Sequence, residues 1–208
     1  MKLLVVAATK AELTFFYQHF SLQEGDFMEE KKFDVLITGV GMVATAFSLG
    51  KYLTASRYNL VLNLGIAGSF DRSIELGQVV NITQDTFAEL GAEDGDNFLT
   101  ITDLGFGEST YKSKSNIRVN LPQVAGVTVN RVSGNDINIK NLVKRLNPAT
   151  ESMEGAAVLF ACHHEKIDCL QIRSISNYVE PRNKDKWKIG LAIKNLNDWA
   201  ISFIGDMN

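Results

Sequence analysis

Short apolar segments alternate with segments of helical periodicity along most of this 208-residue chain. Residues 3–8, 33–38 and 60–64 are apolar and short enough to be buried strands. Residues 10–20 and 42–54, which lie between them, have the apolar spacing of helices. A strand, a helix and a second strand in succession form a parallel pair covered by the helix. The alternation therefore predicts an α/β fold.

The alternation weakens in the middle of the chain and returns toward its C-terminus. Residues 78–83 and 127–132 favour strands, but residues 91–111 are rich in Gly, Asp and Thr and indicate a long irregular excursion. The later elements are predicted to be helices at 136–146 and 154–165, a strand at 169–176 and a helix at 187–204. Because no linker or repeat interrupts this order, residues 1–208 are predicted to form a single domain.

The charge balance and the apolar segments exclude several classes of partner. The chain has 21 basic and 24 acidic residues, without the basic surplus that nucleic acid binding requires. Its first apolar segment meets Lys10 and Glu12 before it reaches the length of a signal peptide. No uncharged apolar segment approaches the roughly 20 residues that cross a bilayer. We therefore expect a cytoplasmic protein with a small-molecule substrate and neither nucleic acid nor membrane partners.

The cysteines and histidines show no metal-binding or redox spacing. Cys162 and Cys169 lie in an apolar stretch and are expected to be buried free thiols, which fits a reducing cytoplasm. The histidines, His19, His163 and His164, form no pattern with cysteines or carboxylates. We expect no metal.

A glycine motif at residues 39–44, Gly-Val-Gly-Met-Val-Ala, matches the fingerprint of dinucleotide-binding folds. The fingerprint belongs after the first strand of such a fold, whereas this motif follows the second. The next strand ends in Asn63, Leu64 and Gly65, so no acidic residue is placed to bind a ribose hydroxyl. We interpret these glycines as permitting a tight turn and close helix packing. No cofactor is expected.

Five short segments occur in a fixed order along nearly the whole chain. They are Glu12 after the first strand, Gly-Val-Gly at 39–41, Asn-Leu-Gly-Ile-Ala-Gly at 63–68, Ser-Met-Glu-Gly-Ala at 152–156 and Arg-Ser-Ile-Ser-Asn at 173–177. This combination resembles the nucleoside phosphorylase and nucleosidase superfamily. The stretch Ser-Asn-Tyr-Val-Glu-Pro-Arg-Asn at 176–183, followed by Trp187 and by residues 192–197, is similar to futalosine hydrolases.

The resemblance implies a fold, a reaction and an assembly. The fold is a three-layer α/β/α sandwich around a central mixed, mostly parallel sheet, with one active site at the strand ends. The reaction is hydrolysis of the N-glycosidic bond of a purine nucleoside, here futalosine, with release of hypoxanthine in the futalosine route to menaquinone. The assembly is a homodimer, in which the partner subunit often helps to close the pocket of related nucleosidases.

The resemblance assigns roles to three charged residues. Glu12 matches the general base that deprotonates the attacking water, although residues 9–12 also fit a capping box that would use Glu12 only to begin a helix. Glu154 matches the carboxylate that binds the ribose hydroxyls, and its alternative is a first-turn residue favoured by the helix dipole. Arg173 is expected near the water and these carboxylates, with an ordinary structural ion pair as its alternative.

The purine end of the site is expected around Asn177, where nucleosidases of adenine nucleosides usually carry Asp. The two N–H donors of an amide suit N7 and O6 of hypoxanthine, so we predict a 6-oxopurine leaving group. Ser176 is expected to orient Asn177, or simply to pack at the strand end. Met153 matches a residue that lines the sugar, and Ile137 lies where relatives stack an aromatic ring on the purine. Core packing is the alternative for both.

The resemblance favours hydrolysis over phosphorolysis. Ile66 replaces the Ser or Thr that often contacts phosphate or water, and the carboxylate of Glu12 would repel phosphate. Gly68, in the same loop, is expected to form part of the floor of the ligand site. The substitution by Ile66 also removes one expected ligand of the attacking water.

Several interpretations stay open at this point. The chain could be a methylthioadenosine/S-adenosylhomocysteine nucleosidase, a catalytically silent purine-binding relative, or a phosphorylase. Futalosine carries a carboxyphenyl ketone, which calls for a longer pocket with aromatic groups and one cation. Phe106, Tyr111 and Arg182 are candidates for that pocket, and a solvated loop is the alternative for each.

Overall fold

A computed structural model describes residues 2–95 and 97–207 of the chain. Its first half alternates strands and helices: β1 (Leu3–Ala7), α1 (Thr14–Phe20), β2 (Phe27–Glu29), β3 (Phe33–Ile37), α2 (Met42–Ala55) and β4 (Leu60–Ser69). A 3-10 helix at Lys10–Leu13 leads from β1 into α1. The helical segment predicted at residues 10–20 is therefore divided into two short helices.

The second half begins with strands and returns to the alternation. Its elements are β5 (Val79–Phe87), β6 (Gly91–Asp94), β7 (Asn97–Thr100), β8 (Thr110–Lys112), β9 (Gln123–Thr128), α3 (Asp136–Leu146), β10 (Thr150–Ser152), α4 (Gly155–Glu165), β11 (Asp168–Tyr178) and α5 (Ile189–Asp206). A 3-10 helix at Lys184–Lys186 precedes α5. In the described part of the chain, no helix is long and apolar enough to cross a membrane.

The central sheet has the strand order β10-β9-β5-β11-β4-β1-β3-β2, and β8 pairs with β5. The pairs β1–β3, β1–β4, β4–β11, β5–β9 and β9–β10 are parallel. The remaining pairings within this sheet, including β5–β11, are antiparallel. β10 also pairs with the end of β4, so one half of the sheet curls toward a closed barrel. The expected mixed, mostly parallel sheet is confirmed.

Two helical layers cover the sheet and define its core. Side chains of α1 and α5, such as Phe16 and Leu196, pack with one face of β1, β4 and β11. Side chains of α2 and α4, such as Leu49 and Leu159, pack with the opposite face. Alternate residues of a strand point to opposite faces, so the continuous apolar runs of β1 and β4 are those of strands buried on both sides. The three-layer architecture is confirmed.

The structure differs from the sequence prediction where polar residues take part in the sheet. β9 ends at Thr128, so the strand predicted at 127–132 lies four residues too far along the chain. Residues 91–111 contain the β6–β7 hairpin and β8 rather than only irregular structure. The short strands β2 and β10 were not predicted, because three residues are too few to show a periodic pattern.

Candidate active site

The carboxyl ends of β1, β3, β4 and β11 meet at one edge of the sheet, because these strands run in parallel. Ligands of open α/β sheets bind at this edge. The residues placed at or near it are Glu12, Gly39, Gly41, Gly65, Ile66, Gly68, Glu154, Arg173, Ser176 and Asn177. The five segments identified in the sequence are therefore neighbours in space.

Both carboxylate oxygens of Glu12 accept hydrogen bonds from backbone groups. Oε2 accepts from the Thr9 backbone N–H at 3.1 Å, which completes a capping box with the Thr9 side chain. Oε1 accepts from the backbone N–H of Ile66 at 3.1 Å. The capping box is confirmed, but it uses only one oxygen and leaves the other facing the end of β4. Burial is the largest cause that raises the pKa of Glu12 above its ordinary value, and the nearby Arg173 opposes it.

Arg173 lies in the middle of β11 and only 2% of its surface is exposed. Its Nη1 donates to the carbonyls of Ile172 at 3.1 Å and Asn63 at 3.4 Å, whereas its Nε has no hydrogen-bond partner in the described chain. Gly65 is its cross-strand neighbour, and a Cβ there would lie 3.0 Å from Glu12 Oε1 and 3.3 Å from the guanidinium. The missing side chain at Gly65 therefore lets Arg173 approach Glu12. Within the described residues Arg173 forms no ion pair closer than 4 Å, so the alternative of an ordinary structural ion pair is wrong.

Glu154 lies at the start of α4 and points toward the glycine loop after β3. Its Oε1 accepts a hydrogen bond from the backbone N–H of Gly41 at 2.9 Å. Gly39 and Gly41 have φ angles of 85° and 92°, a left-handed conformation that favours glycine. The interpretation of these glycines as residues of a tight turn is confirmed. The same turn also orients a site carboxylate, and the negative charge of Glu154 contributes to the raised pKa of Glu12.

Asn177 follows a register shift in the pairing of β11 with β4. A β-bulge of this kind re-aims the side chains that follow it. Ser176 Oγ donates to Asn177 Oδ1 at 2.8 Å, and Asn177 Nδ2 donates to the carbonyl of Tyr178 at 3.0 Å. One of the two amide hydrogens is thus engaged, so the expectation of two donors for the purine is reduced to one. A Cβ at Gly68 would lie 3.2 Å from Asn177 Nδ2, so this glycine makes room for the amide.

The remaining predicted residues lie farther out. Ile137 is 68% exposed on the first turn of α3, so the alternative that it faces the core is wrong. Met153 is half-buried beside Glu154. Phe106 is exposed, and Arg182 lies over the ring of Trp187 at 5.1 Å.

Tyr111 differs from the other candidates for the outer pocket. It is buried in β8, where its ring packs edge-on against Phe87 and Phe160. The interpretation of Tyr111 as part of a solvated loop is therefore wrong, because Tyr111 lies on the face of β8 that points into the core.

Asn197 of α5 supports Glu12, a role that the sequence pattern does not predict. Its Nδ2 donates to the Glu12 carbonyl at 2.7 Å, and its Oδ1 accepts from the Phe16 N–H at 2.7 Å. The side chain is fully buried and fixes the junction between the 3-10 helix and α1. An asparagine on the apolar face of an amphipathic helix is the sequence signal that could have identified it.

Comparison with known proteins defines the class of this chain. The family model of the phosphorylase superfamily matches residues 4–204. The chain belongs to that superfamily, as the fold and the residues at the strand ends indicated.

More specific relatives narrow the family. A futalosine hydrolase from Streptomyces coelicolor is 34% identical over 177 residues, covering 79% of this chain and 75% of the relative. The structure of futalosine hydrolase from Helicobacter pylori matches with a TM-score of 0.84 at 15% identity, covering 100% of this chain and 98% of its own. A 5′-methylthioadenosine/S-adenosylhomocysteine nucleosidase from the same organism matches with a TM-score of 0.85 at 15% identity, covering 100% and 99%. The structural matches establish the fold, and the sequence match places the chain in the futalosine hydrolase family.

Proposed function

We propose that this protein hydrolyses the N-glycosidic bond of futalosine, releasing hypoxanthine and dehypoxanthine futalosine in the futalosine route to menaquinone. The observation that carries the proposal is the half-buried Glu12, whose carboxylate is held by Ile66 beside Arg173 at the strand ends. A carboxylate with a raised pKa is a stronger base than an ordinary glutamate. The similarity to the Streptomyces coelicolor futalosine hydrolase supports the choice of substrate.

Glu12 is proposed to deprotonate the water that attacks the anomeric carbon. Its oxygens are oriented by Thr9 and Ile66, so the carboxylate needs no reorganisation when the water binds. Arg173 opposes the rise in the pKa of Glu12 and so stabilises the ionised carboxylate. Burial and this nearby cation therefore act in opposite directions on a carboxylate that must be ionised in order to accept the proton of the water.

Glu154 is proposed to bind the ribose hydroxyls and to stabilise the positive charge that develops on the sugar. The N–H of Gly41 occupies one lone pair of Oε1 and leaves Oε2 for a hydroxyl of the sugar. A negative charge close to the ribose favours a transition state with oxocarbenium character. Met153, Ile66 and Gly68 are proposed to line the sugar and the floor of the site.

Asn177 is proposed to stabilise the departing hypoxanthine. Ser176 and the Tyr178 carbonyl fix the amide and leave one N–H for an acceptor of the purine. A neutral amide donates a hydrogen bond without transferring a proton, which suits a 6-oxopurine whose charge is stabilised as the bond breaks. Ile137 is proposed to pack against the base from the first turn of α3.

The outer part of the site is proposed to receive the carboxyphenyl ketone of futalosine. Arg182 and Trp187 stack on one another after the end of β11, and together they offer a cation and an aromatic face. Glu180 already binds Arg72 and Lys186, so those two cations are engaged. Arg182 is therefore the candidate for the substrate carboxylate.

A homodimer is proposed as the working assembly of this single domain, and the cytoplasm as its location. Val43 and Phe47 are 82% and 76% exposed on one face of α2, which packs beside α4. An apolar patch of this kind marks an interface on a soluble protein. The buried free cysteines support a reducing compartment.

The dimer is tested by sedimentation of a Phe47→Asp variant. We expect the wild type to sediment as a dimer and the variant as a monomer. Phe15→Asp, on α1 in the opposite helical layer, is the matched control and should stay dimeric. A wild-type monomer at micromolar concentration would refute this assembly.

The reaction is tested by incubating the protein with futalosine, inosine or methylthioadenosine, each with and without phosphate, and following purine release by chromatography. We expect hypoxanthine from futalosine much faster than from inosine, with no dependence on phosphate. Adenine from methylthioadenosine as the main product would favour the nucleosidase alternative, and phosphate dependence would favour a phosphorylase. Purine binding without release would identify a silent relative.

A further inference from the structure

A buried polar network lies under the start of α4, on the sheet face that α2 and α4 cover. Its centre is Asp85 of β5, which is almost completely buried. Asp85 Oδ2 accepts a hydrogen bond from Gln171 Nε2 at 2.7 Å, and Oδ1 accepts from Thr128 Oγ1 at 2.9 Å. Three strands, β5, β9 and β11, thus contribute one polar side chain each. Burial of a carboxylate carries a desolvation penalty that two side-chain donors offset only in part, so its presence here indicates a role beyond stability.

The network reaches the first turn of α4. Thr128 Oγ1 accepts a hydrogen bond from the backbone N–H of Ala156 at 2.7 Å while it donates to Asp85. A Cβ at Gly155 would overlap both Asp85 Oδ2 and Gln171 Nε2, so the helix begins directly on the carboxylate. Glu154 immediately precedes this turn and is the N-cap residue of α4. The position of Glu154 therefore depends on the network beneath it.

The network also reaches Arg173. Gln171 and Arg173 are two residues apart on β11, so their side chains point to the same face of the sheet. Arg173 shares this face with Gln171, which binds Asp85. It also lies opposite Gly65, where the missing side chain leaves room for Glu12. Its positive charge accordingly lowers the pKa of both carboxyl groups. Asp85 and Glu12 thus compete for the same cation.

We propose that Asp85 is a positioning residue of the hydrolytic site. It fixes Glu154 through the start of α4, and its negative charge weakens the electrostatic effect of Arg173 on Glu12. The inference rests on the proposed function, because it assigns Glu12 and Glu154 to that reaction. Asp85 touches no reacting atom. It keeps Arg173 from neutralising Glu12 fully and so keeps Glu12 basic.

Burial raises the pKa of Asp85 to about 6, against the opposing effects of Gln171, Thr128 and Arg173. The other titratable groups around the network are Tyr111, opposite Asp85 on β8, and the pair Glu12 and Glu154 at the strand ends. A pKa higher in the folded than in the unfolded chain means that stability falls as pH rises through the interval between the two values. Above about pH 6 the ionised Asp85 thus lowers stability.

Asp85→Asn tests the proposal because the site can accept an amide. Gln171 Oε1 has no hydrogen-bond partner in the described chain, so a rotated Gln171 amide can accept from the new Asn N–H while Thr128 still donates to its oxygen. The variant removes the charge and keeps the shape. Asp34→Asn is the matched control, since Asp34 is equally buried on β3 but binds Lys2 and Tyr58 away from the site.

We expect Asp85→Asn to lower kcat on futalosine by about tenfold with little change in KM. Both site carboxylates are retained, but Glu154 is positioned less precisely and Glu12 becomes a weaker base. The acid limb of the pH profile should move to lower pH by about half a unit, since Arg173 then acts on Glu12 alone. The Tm at pH 7.5 should not fall, because a charge that opposes folding is removed. Asp34→Asn should leave kcat and the acid limb unchanged.

Three outcomes overturn the role of Asp85. One is that the Asp85→Asn variant has the kcat and the pH dependence of the wild type. Another is a loss of kcat with no displacement of the acid limb. The third is a fall in Tm that matches the loss of activity, which would make the network purely structural. A wild-type protein that releases no purine from any nucleoside refutes the proposed function itself, and the role of Asp85 with it.

Thr128→Val separates the two arms of the proposal. It removes the hydroxyl that links Asp85 to the Ala156 N–H and leaves the Asp85 carboxyl in place, although the loss of this donor favours its protonated form. We expect a lower kcat with a smaller displacement of the acid limb than in Asp85→Asn, because the carboxyl group is still present. A displacement as large as that of Asp85→Asn would contradict the division of roles between helix positioning and charge.

Discussion

Two regions of the candidate active site hold their side chains in different ways. In the strand-end region, defined by Glu12, Glu154, Arg173 and Asn177, every side chain is hydrogen-bonded to backbone groups. In the outer region, defined by residues 101–109 and 179–187, most side chains are exposed, and Glu180 is bound by the exposed side chains of Arg72 and Lys186. The side chains of the strand-end region are therefore fixed before substrate binds. Those of the outer region lose conformational entropy when they become ordered around a ligand.

The difference predicts a division of labour. Groups that are fixed in advance stabilise a transition state without reorganisation, so changes in the strand-end region should act on kcat. Groups that become ordered on binding contribute to recognition, so changes in the outer region should act on KM for futalosine alone. Four substitutions test this division, and they follow in decreasing order of expected effect.

Glu12→Gln should have the largest effect, a loss of about 10³-fold in kcat, because an amide cannot accept the proton of the attacking water. Hypoxanthine release under single-turnover conditions measures it. Glu24→Gln, an exposed carboxylate after α1, is the control and should match the wild type. A loss of less than tenfold would mean that another group is the base.

Glu154→Gln should lower kcat by about 10²-fold, since it removes the negative charge beside the developing cation while retaining a hydrogen-bonding group. Glu165→Gln, at the far end of α4, supplies a control on the same helix. A 2′-deoxy substrate tests the contact directly. If Glu154 binds the ribose hydroxyls, the losses of activity caused by the deoxy substrate and by the substitution should not be additive.

Asn177→Asp should change the preference between purines by about tenfold toward adenine nucleosides, because a protonated carboxyl can donate to N7 while its other oxygen accepts from the 6-amino group. Competition between inosine and adenosine measures the ratio directly. Ser176→Ala, which removes the hydroxyl donor to Asn177, should weaken the discrimination without reversing it. An unchanged ratio in Asn177→Asp would place purine selection elsewhere.

Arg182→Ala should have the smallest effect, a rise of about fivefold to tenfold in KM for futalosine with kcat preserved. The KM for inosine, which lacks the carboxylate, should stay the same. Lys186→Ala is the matched control, because this exposed lysine is paired with Glu180 in the same loop. Equal effects on both nucleosides would contradict the assignment of the outer region to the tail of futalosine.

The sequence predicted the alternation of elements but not all of the polar residues that organise the site. Local periodicity indicated β1, β3, α2, α3 and α4 with boundaries within about two residues, because each has a continuous apolar pattern. The glycines at residues 39–41 were identified as a turn, yet their contact with Glu154 spans 113 residues and no local pattern can reveal it.

Asp85 and Asn197 show the same limit more strongly. The apolar pattern predicts a strand only at residues 78–83, because polar residues interrupt it before Asp85, whereas β5 continues to Phe87. The sequence around Asn197 indicates no role for this residue, since its contact with the Glu12 carbonyl depends on how α5 packs on α1. Buried polar side chains satisfied by distant segments are defined by the tertiary structure rather than by their neighbours in sequence.

The pH dependence of kcat/KM for hypoxanthine release from futalosine tests the central claim most directly. Burial raises the pKa of Glu12, and the base must be ionised to act, so activity should fall with decreasing pH at values above the ordinary glutamate pKa of about 4.3. The residual activity of Glu12→Gln should lack this limb. An acid limb at or below the ordinary value, or one that persists in Glu12→Gln, would contradict the account.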